Sequence, residues 1–325
     1  MKKNSRVLIL ADLEGITDVY NLKNDDEAIT LYNDEICMYI ETLIENKIFN
    51  IDVCDIHNKG NMISKTIERY NDDVNIRLIS TISNLRFENE YDFAFLVGFH
   101  GMNRSCGILP HTIRFNFKEI KLYSEKLNLF IPIGEVELYS RWLGSRGIPV
   151  ILITGDREAC YEGNCFNPYR ETCCVKSLFE NIKIQRALIY SKIKISVDSA
   201  INLIHQKCLA DDKEEILVEL YNEDLTEFFS SLGYKKNENN IIFENCFHFI
   251  ENLDSLIYKI IDFDRDNLSK NIEFLDEIKK VSSLVSKDKV VNSDIGNILS
   301  NNNLYSLDSK MRDKVKLYFQ DLIKK

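Results

Sequence analysis

The chain has 325 residues, 45% hydrophobic and 28% charged, with four prolines and twelve glycines, a balance that excludes the disordered and fibrous classes. A globular chain of this length buries about three quarters of its unfolded surface. The net charge of −10 supplies no basic footprint for nucleic acid or an anionic membrane, so neither is expected as a partner.

The first element is the apolar run Val7 to Ala11 in "RVLILADLEGITD". Asp12 and Glu14 cut it off too early for a secretory signal, and no later segment reaches the 18 or so apolar residues of a membrane helix. Nine scattered cysteines then read as reduced thiols of a cytoplasmic protein. Cys160, Cys165, Cys173 and Cys174 match no zinc or iron–sulfur spacing, and small buried hydrophobes are expected there.

Three more short apolar runs follow, Ile51 to Val53, Phe93 to Val97 and Val150 to Ile153, each with the continuity of a strand covered on both faces. Between the first two, Ile29, Tyr32, Ile36, Tyr39, Ile40 and Leu43 recur at helical steps, which predicts a helix over about 27–47. This is βαβ logic, so an α/β fold with a mostly parallel sheet flanked by helices is expected. "IRFNFKEIKLY" and "LFIPIGE" read as strands joined at "SEKLN", and "VELYSRWLGSRG" as a helix. A small α+β unit is expected over 214–262, from "EILVELY", "EDLTEFFSSLG", "NIIFEN" and "LDSLIYKIIDF". The stretch 264–325 reads as a helical extension.

Polar residues follow each early run: Asp12 and Glu14, then Asp55 and His57, then His100, then Asp156. Ligand crevices of open parallel sheets lie beyond the carboxyl ends of the strands, so these residues should converge. His57, His100 and His111 taken singly are ordinary structural histidines, as His205 and His248 are expected to be. Taken with Asp12, Glu14 and Glu135 at the mouths of one sheet, they change meaning. Clustered carboxylates repel one another unless a cation neutralises them, and mixed imidazole and carboxylate donors suit zinc. Asp12 and Glu14, two apart on an extended segment, should point to the same side. Five of these groups, Asp12, Glu14, His57, His100 and Glu135, exceed one tetrahedral ion and fit a pair about 3.5–4 Å apart. His111 is then left to move a proton or steady an oxyanion. Asp55 is either a partner of His57 or an exposed turn carboxylate, and Asp156 is expected to cap a helix.

The blocks "ADLEGITD", "DIHNKGNM", "GFHGMN", "LPHT", "IGEVELYS" and "VILITGDRE", in this order and spacing, resemble those of the D-aminopeptidase family of zinc metallopeptidases (M55). The resemblance is clearest over residues 5–160 and continues more faintly to about 262. It implies that Asp12, Glu14, His57, His100 and Glu135 ligate two zinc ions and that His111 is the catalytic histidine. It further implies release of N-terminal D-amino acids from short peptides, and a homo-oligomeric ring, such as a decamer, with an inner chamber. A metal-binding catalytic domain is expected over 1–190, a small α+β unit over 191–263 and the extension over 264–325. "GEVELYS" departs from the family's "GELGLNA"-like block, which puts Tyr139 and Ser140 near the expected pocket, and Ile56 stands where a small residue is common. These departures keep two alternatives open: a metal-dependent hydrolase or biosynthetic enzyme for another small metabolite, and a non-catalytic metal-binding oligomer.

Overall fold

The computed structural model describes residues 5–20, 26–57, 70, 74–85, 87, 91–114, 116–176, 186–204 and 213–264. The expected extension from 265 onward and His205 lie outside the described residues. In chain order the elements are β1 (Arg6–Ala11), α1 (Asp26–Glu45), β2 (Asn50–Asp55), β3 (Asn75–Ile79), β4 (Phe93–Phe99), β5 (Phe117–Ser124) and β6 (Leu129–Ile133). There follow α2 (Glu135–Gly144), β7 (Val150–Asp156), α3 (Arg157–Phe166), β8 (Glu171–Lys176), α4 (Arg186–Asn202), β9 (Ile216–Leu220), α5 (Glu223–Ser231), β10 (Lys236–Asn237) and β11 (Asn240–Phe243). A further helix occupies 246–264.

Six strands form one sheet in the order β3-β2-β1-β4-β7-β8, every neighbouring pair parallel. The order reverses between β1 and β4, the switch point at which doubly wound sheets open a crevice. Helix α1 packs with α4 and α2 with α3, and these helices flank the sheet. Buried Val7, Ile9, Val53, Phe93 and Phe95 meet Tyr32, Ile36, Tyr39, Ile40 and Leu43 of α1, the stripe expected from the sequence. Five further strands form a second sheet, β10-β11-β9-β5-β6, whose hairpins β5–β6 and β10–β11 are antiparallel.

Two compact units result. Among the described residues, the first draws on segments within Met1–Arg114, Glu119–Val218 and Phe243–Glu251 and contains the parallel sheet; the second draws on segments within Phe115–Lys118 and Glu219–Ile242 and on 252–264. Strands β3 and β8 and helix α4 were not anticipated from the sequence, and α3 was anticipated only through its cap at Asp156.

Candidate metal centre

At the carboxyl ends of β1, β2 and β4 the chain brings together Asp12, His57 and His100, joined by Glu14, His111 and Glu135. Asp12 leaves β1 with its amide on the Val97 carbonyl (2.8 Å), and Gly15 donates to the Gly98 carbonyl (2.7 Å). A Cβ on Gly15 would lie 1.8 Å from the Phe99 carbonyl oxygen. Only glycine lets the chain press this closely on the end of β4. The segment turns from Leu13 onward, which corrects the expected extended geometry. Glu14 therefore reaches the same imidazole as Asp12 through a turn rather than through strand alternation.

His57 Nδ1 lies 2.9 Å from Glu14 Oε2 and 3.7 Å from Asp12 Oδ1. His100 Nε2 lies 3.5 Å from Asp12 Oδ2 and 3.4 Å from Glu135 Oε1. The His100 and His111 rings stack 4.2 Å apart, and His111 Nε2 is 3.7 Å from Glu14 Oε1. His100 Nδ1 donates to the Gly101 carbonyl and His111 Nδ1 to the Leu109 carbonyl, at 3.0 and 2.9 Å. A carbonyl only accepts, so on both rings it is Nε2 that faces the carboxylates. Leu109 and Ile113, on either side of His111, hold left-handed conformations (φ +58° and +63°), strain of the kind that accumulates at functional sites.

Burial raises the Asp12 carboxyl to about 8, helped by the charge of Glu14. Burial also acts on Glu14 and Glu135, but the adjoining imidazoles outweigh it and hold both below the usual carboxylate range. His57 and His100 are pushed up to about 11 and about 10: their neighbouring carboxylates overcome the opposing effect of burial. His111 is lowered, by burial and by the charge of His100.

These groups fit a metal. His100, His111 and Glu135 form one set with donor atoms within 4.8 Å of one another, and Asp12, Glu14 and His57 form another; no further set occurs among the described residues. Asp12 Oδ2 is buried without a hydrogen-bond partner, and a cation bound there would satisfy it. The sequence reading assigns His111 to proton transfer, yet the structure brings it into the same set as His100 and Glu135.

The supporting residues divide differently from expectation. Asp55 is wholly buried, not an exposed turn carboxylate, and accepts the His57 amide (3.0 Å). Asp156 does cap α3, accepting from the Ala159 amide. Tyr139 is buried edge-on to Phe99 and Trp142, and the Ser140 hydroxyl donates to the Val136 carbonyl. His248 is exposed against Phe243. Cys160, Cys173 and Cys174 enter no metal-binding set among the described residues, and burial pushes the Cys160 and Cys173 thiols up. Lys176, whose buried ammonium donates to the Glu14 carbonyl (2.6 Å) and to that of Val19, and Glu162 escaped the sequence reading. Both bind backbone, which no residue spacing announces.

Fold and site together define an α/β protein with two candidate metal-binding imidazole–carboxylate sets at the switch point of a doubly wound sheet. A family model described as D-aminopeptidase, of the M55 peptidases, matches residues 5–236. The chain belongs to that family and is a peptide hydrolase. Among solved structures it is similar to one described as the Zn-dependent D-aminopeptidase DppA from Bacillus subtilis, a self-compartmentalizing protease, with a TM-score of 0.66 and 17% identity over 78% of this chain and 97% of that one. No curated protein sequence matches. No described helix is long and apolar enough to cross a membrane.

Proposed function

We propose that the chain is a dinuclear zinc aminopeptidase that releases N-terminal D-amino acids from short peptides. Asp12, Glu14, His57, His100 and Glu135 would hold the two ions and His111 would be the catalytic histidine. The observation that carries the reading is the pairing of two three-residue donor sets about one buried Asp12 oxygen that lacks a hydrogen bond. Zinc supplies Lewis acidity, which acidifies water and draws electron density from a carbonyl.

The chain's own residues do the rest. His111 is neutral near pH 7 because burial and His100 lower it, and its Nδ1 proton is tied to the Leu109 carbonyl. Nε2, on the carboxylate side of the ring, is then the nitrogen that takes the proton of the attacking water as the water oxygen bonds to the amide carbon. It then returns that proton to the amine as the C–N bond breaks. The Ile113 amide donates to Glu135 Oε1 (2.6 Å) and holds that carboxylate in place.

The test is hydrolysis of D-alanyl and D-seryl amides against their L forms with added zinc, alongside metal analysis. D-selective turnover with about two zinc ions per chain is expected. Turnover of neither form, with less than one metal per chain, ends the proposal. Activity on another amide alone would favour the metabolite-hydrolase alternative. Metal without any activity would favour the non-catalytic one. A homo-oligomeric ring belongs to the same proposal, supported by likeness to a structure described as self-compartmentalizing, and light scattering on the purified chain tests it. A cytoplasmic setting also belongs to it, supported by the eight described cysteines, all free thiols.

A further inference from the structure

Helix α3 supplies no candidate ligand, yet it carries two buried carboxylates that grip segments which do. Asp156, at its N-cap, accepts from Ala159 N through Oδ1 (2.8 Å). Its Oδ2 accepts from Gly101 N (3.0 Å) and Ile108 N (3.1 Å), both in the loop between His100 and His111. Glu162 accepts through Oε1 from Gly134 N (2.8 Å) and Glu137 N (3.0 Å), on either side of Glu135. Helix α2 has no side-chain cap of its own at Gly134. The Glu162 carboxylate takes that place from a neighbouring helix, where it also complements the positive end of α2.

An independent observation concerns glycine. A Cβ on Gly134 would lie 2.4 Å from Glu162 Oε2, and one on Gly107 would lie 2.8 Å from Asp156 Oδ2. The ligand-bearing backbones approach the two carboxylates only because no side chain intervenes.

We propose that Asp156 and Glu162 are positioning residues that hold His100 and Glu135 in the arrangement that binds zinc, with His111 set beside them. This rests on the zinc reading above. Neither carboxylate touches the reacting atoms; both act through backbone amides. Their chemistry differs in a way that an experiment can read. Glu162 uses one oxygen, and its Oε2 is buried without a hydrogen-bond partner, so an amide in its place keeps both bonds. Asp156 uses both oxygens, so an amide there loses a set of bonds whichever way it turns.

The test is zinc affinity of the full chain by chelator competition, with melting temperature measured beside it. Glu162→Gln should stay within a few-fold of the native chain. Glu162→Ala and Asp156→Asn should weaken zinc binding about 10–100-fold, the usual effect of removing a group that orients a metal ligand. Gly134→Ala, which presses on the Glu162 carboxylate, should weaken it likewise and carries the test if Glu162→Ala does not fold. Native affinity in Glu162→Ala or Asp156→Asn, whatever happens to the melting temperature, overturns the proposal. So does a Glu162→Gln variant as weak as Glu162→Ala. A native chain that takes up no zinc sinks the zinc reading and this one with it, whereas native uptake with unaffected variants sinks this one alone.

Discussion

His111 separates two uses of one imidazole. Stacked on His100 and facing Glu14 through Nε2, it is placed both to move a proton and to bind an ion. If it transfers the proton, His111→Ala should lose about 10²–10⁴-fold in kcat with zinc content unchanged. Loss of one equivalent of zinc along with activity would make it a ligand instead. Glu162 offers a pH signature of its own. Burial, the largest cause, lifts its carboxyl from 4.5 to about 7, so folding favours the neutral form. That preference costs nothing below the unfolded value and grows as pH rises through about 7, reaching about 3 kcal/mol above it. Glu162→Gln is neutral at every pH. Its stability relative to the native chain, from urea unfolding after chelator treatment, should be flat below about pH 4.5 and gain up to about 3 kcal/mol by about pH 8. A gain that shrinks as pH rises would mean that the anion is the favoured form.

At the scale of elements, the strands that were legible are those buried on both faces. β1, β4 and β7 read as unbroken apolar runs because water reaches neither side. Strand β3 has no fully buried residue and contains Arg77, and β8 is "ETCCVK"; neither carries a periodic apolar signal. Helix α3 buries only Ala159, Cys160, Glu162 and Gly163, so its sequence lacks a stripe. The candidate ligands were legible because strand ends are marked in sequence, whereas the turn that aims Glu14 and the amide grips of Asp156 and Glu162 depend on backbone placed by distant segments. The edge of the sheet provides a control. Asp52, wholly buried in β2, accepts from Arg77 Nε (2.8 Å) and from the buried Tyr91 hydroxyl (2.5 Å). Asp52→Ala leaves that hydroxyl without its acceptor and should cost about 1–3 kcal/mol in urea unfolding, with zinc content preserved. Zinc lost together with stability would mean that the outer strands help to hold the centre.

At the scale of the molecule, the candidate ligands come from five separated stretches, each tied to the same parallel sheet: the turn after β1, the end of β2, the end of β4, the loop bearing His111, and the start of α2. Without metal their mutual repulsion is relieved by protons, held on Asp12 near neutrality and on His57 and His100 well above it. On the proposed reading, zinc would replace those protons with a cation that every stretch can share, and it would bind the folded arrangement rather than the open chain. Mass action then fixes the consequence. At a free zinc concentration about 100 times its dissociation constant, the folded state should gain about 2.7 kcal/mol, seen as a melting temperature that rises with zinc and falls when a chelator is added. Asp12→Ala, which removes the carboxylate that both imidazoles approach, should abolish most of that rise. A melting temperature indifferent to zinc in the native chain would mean that the five stretches meet for packing alone.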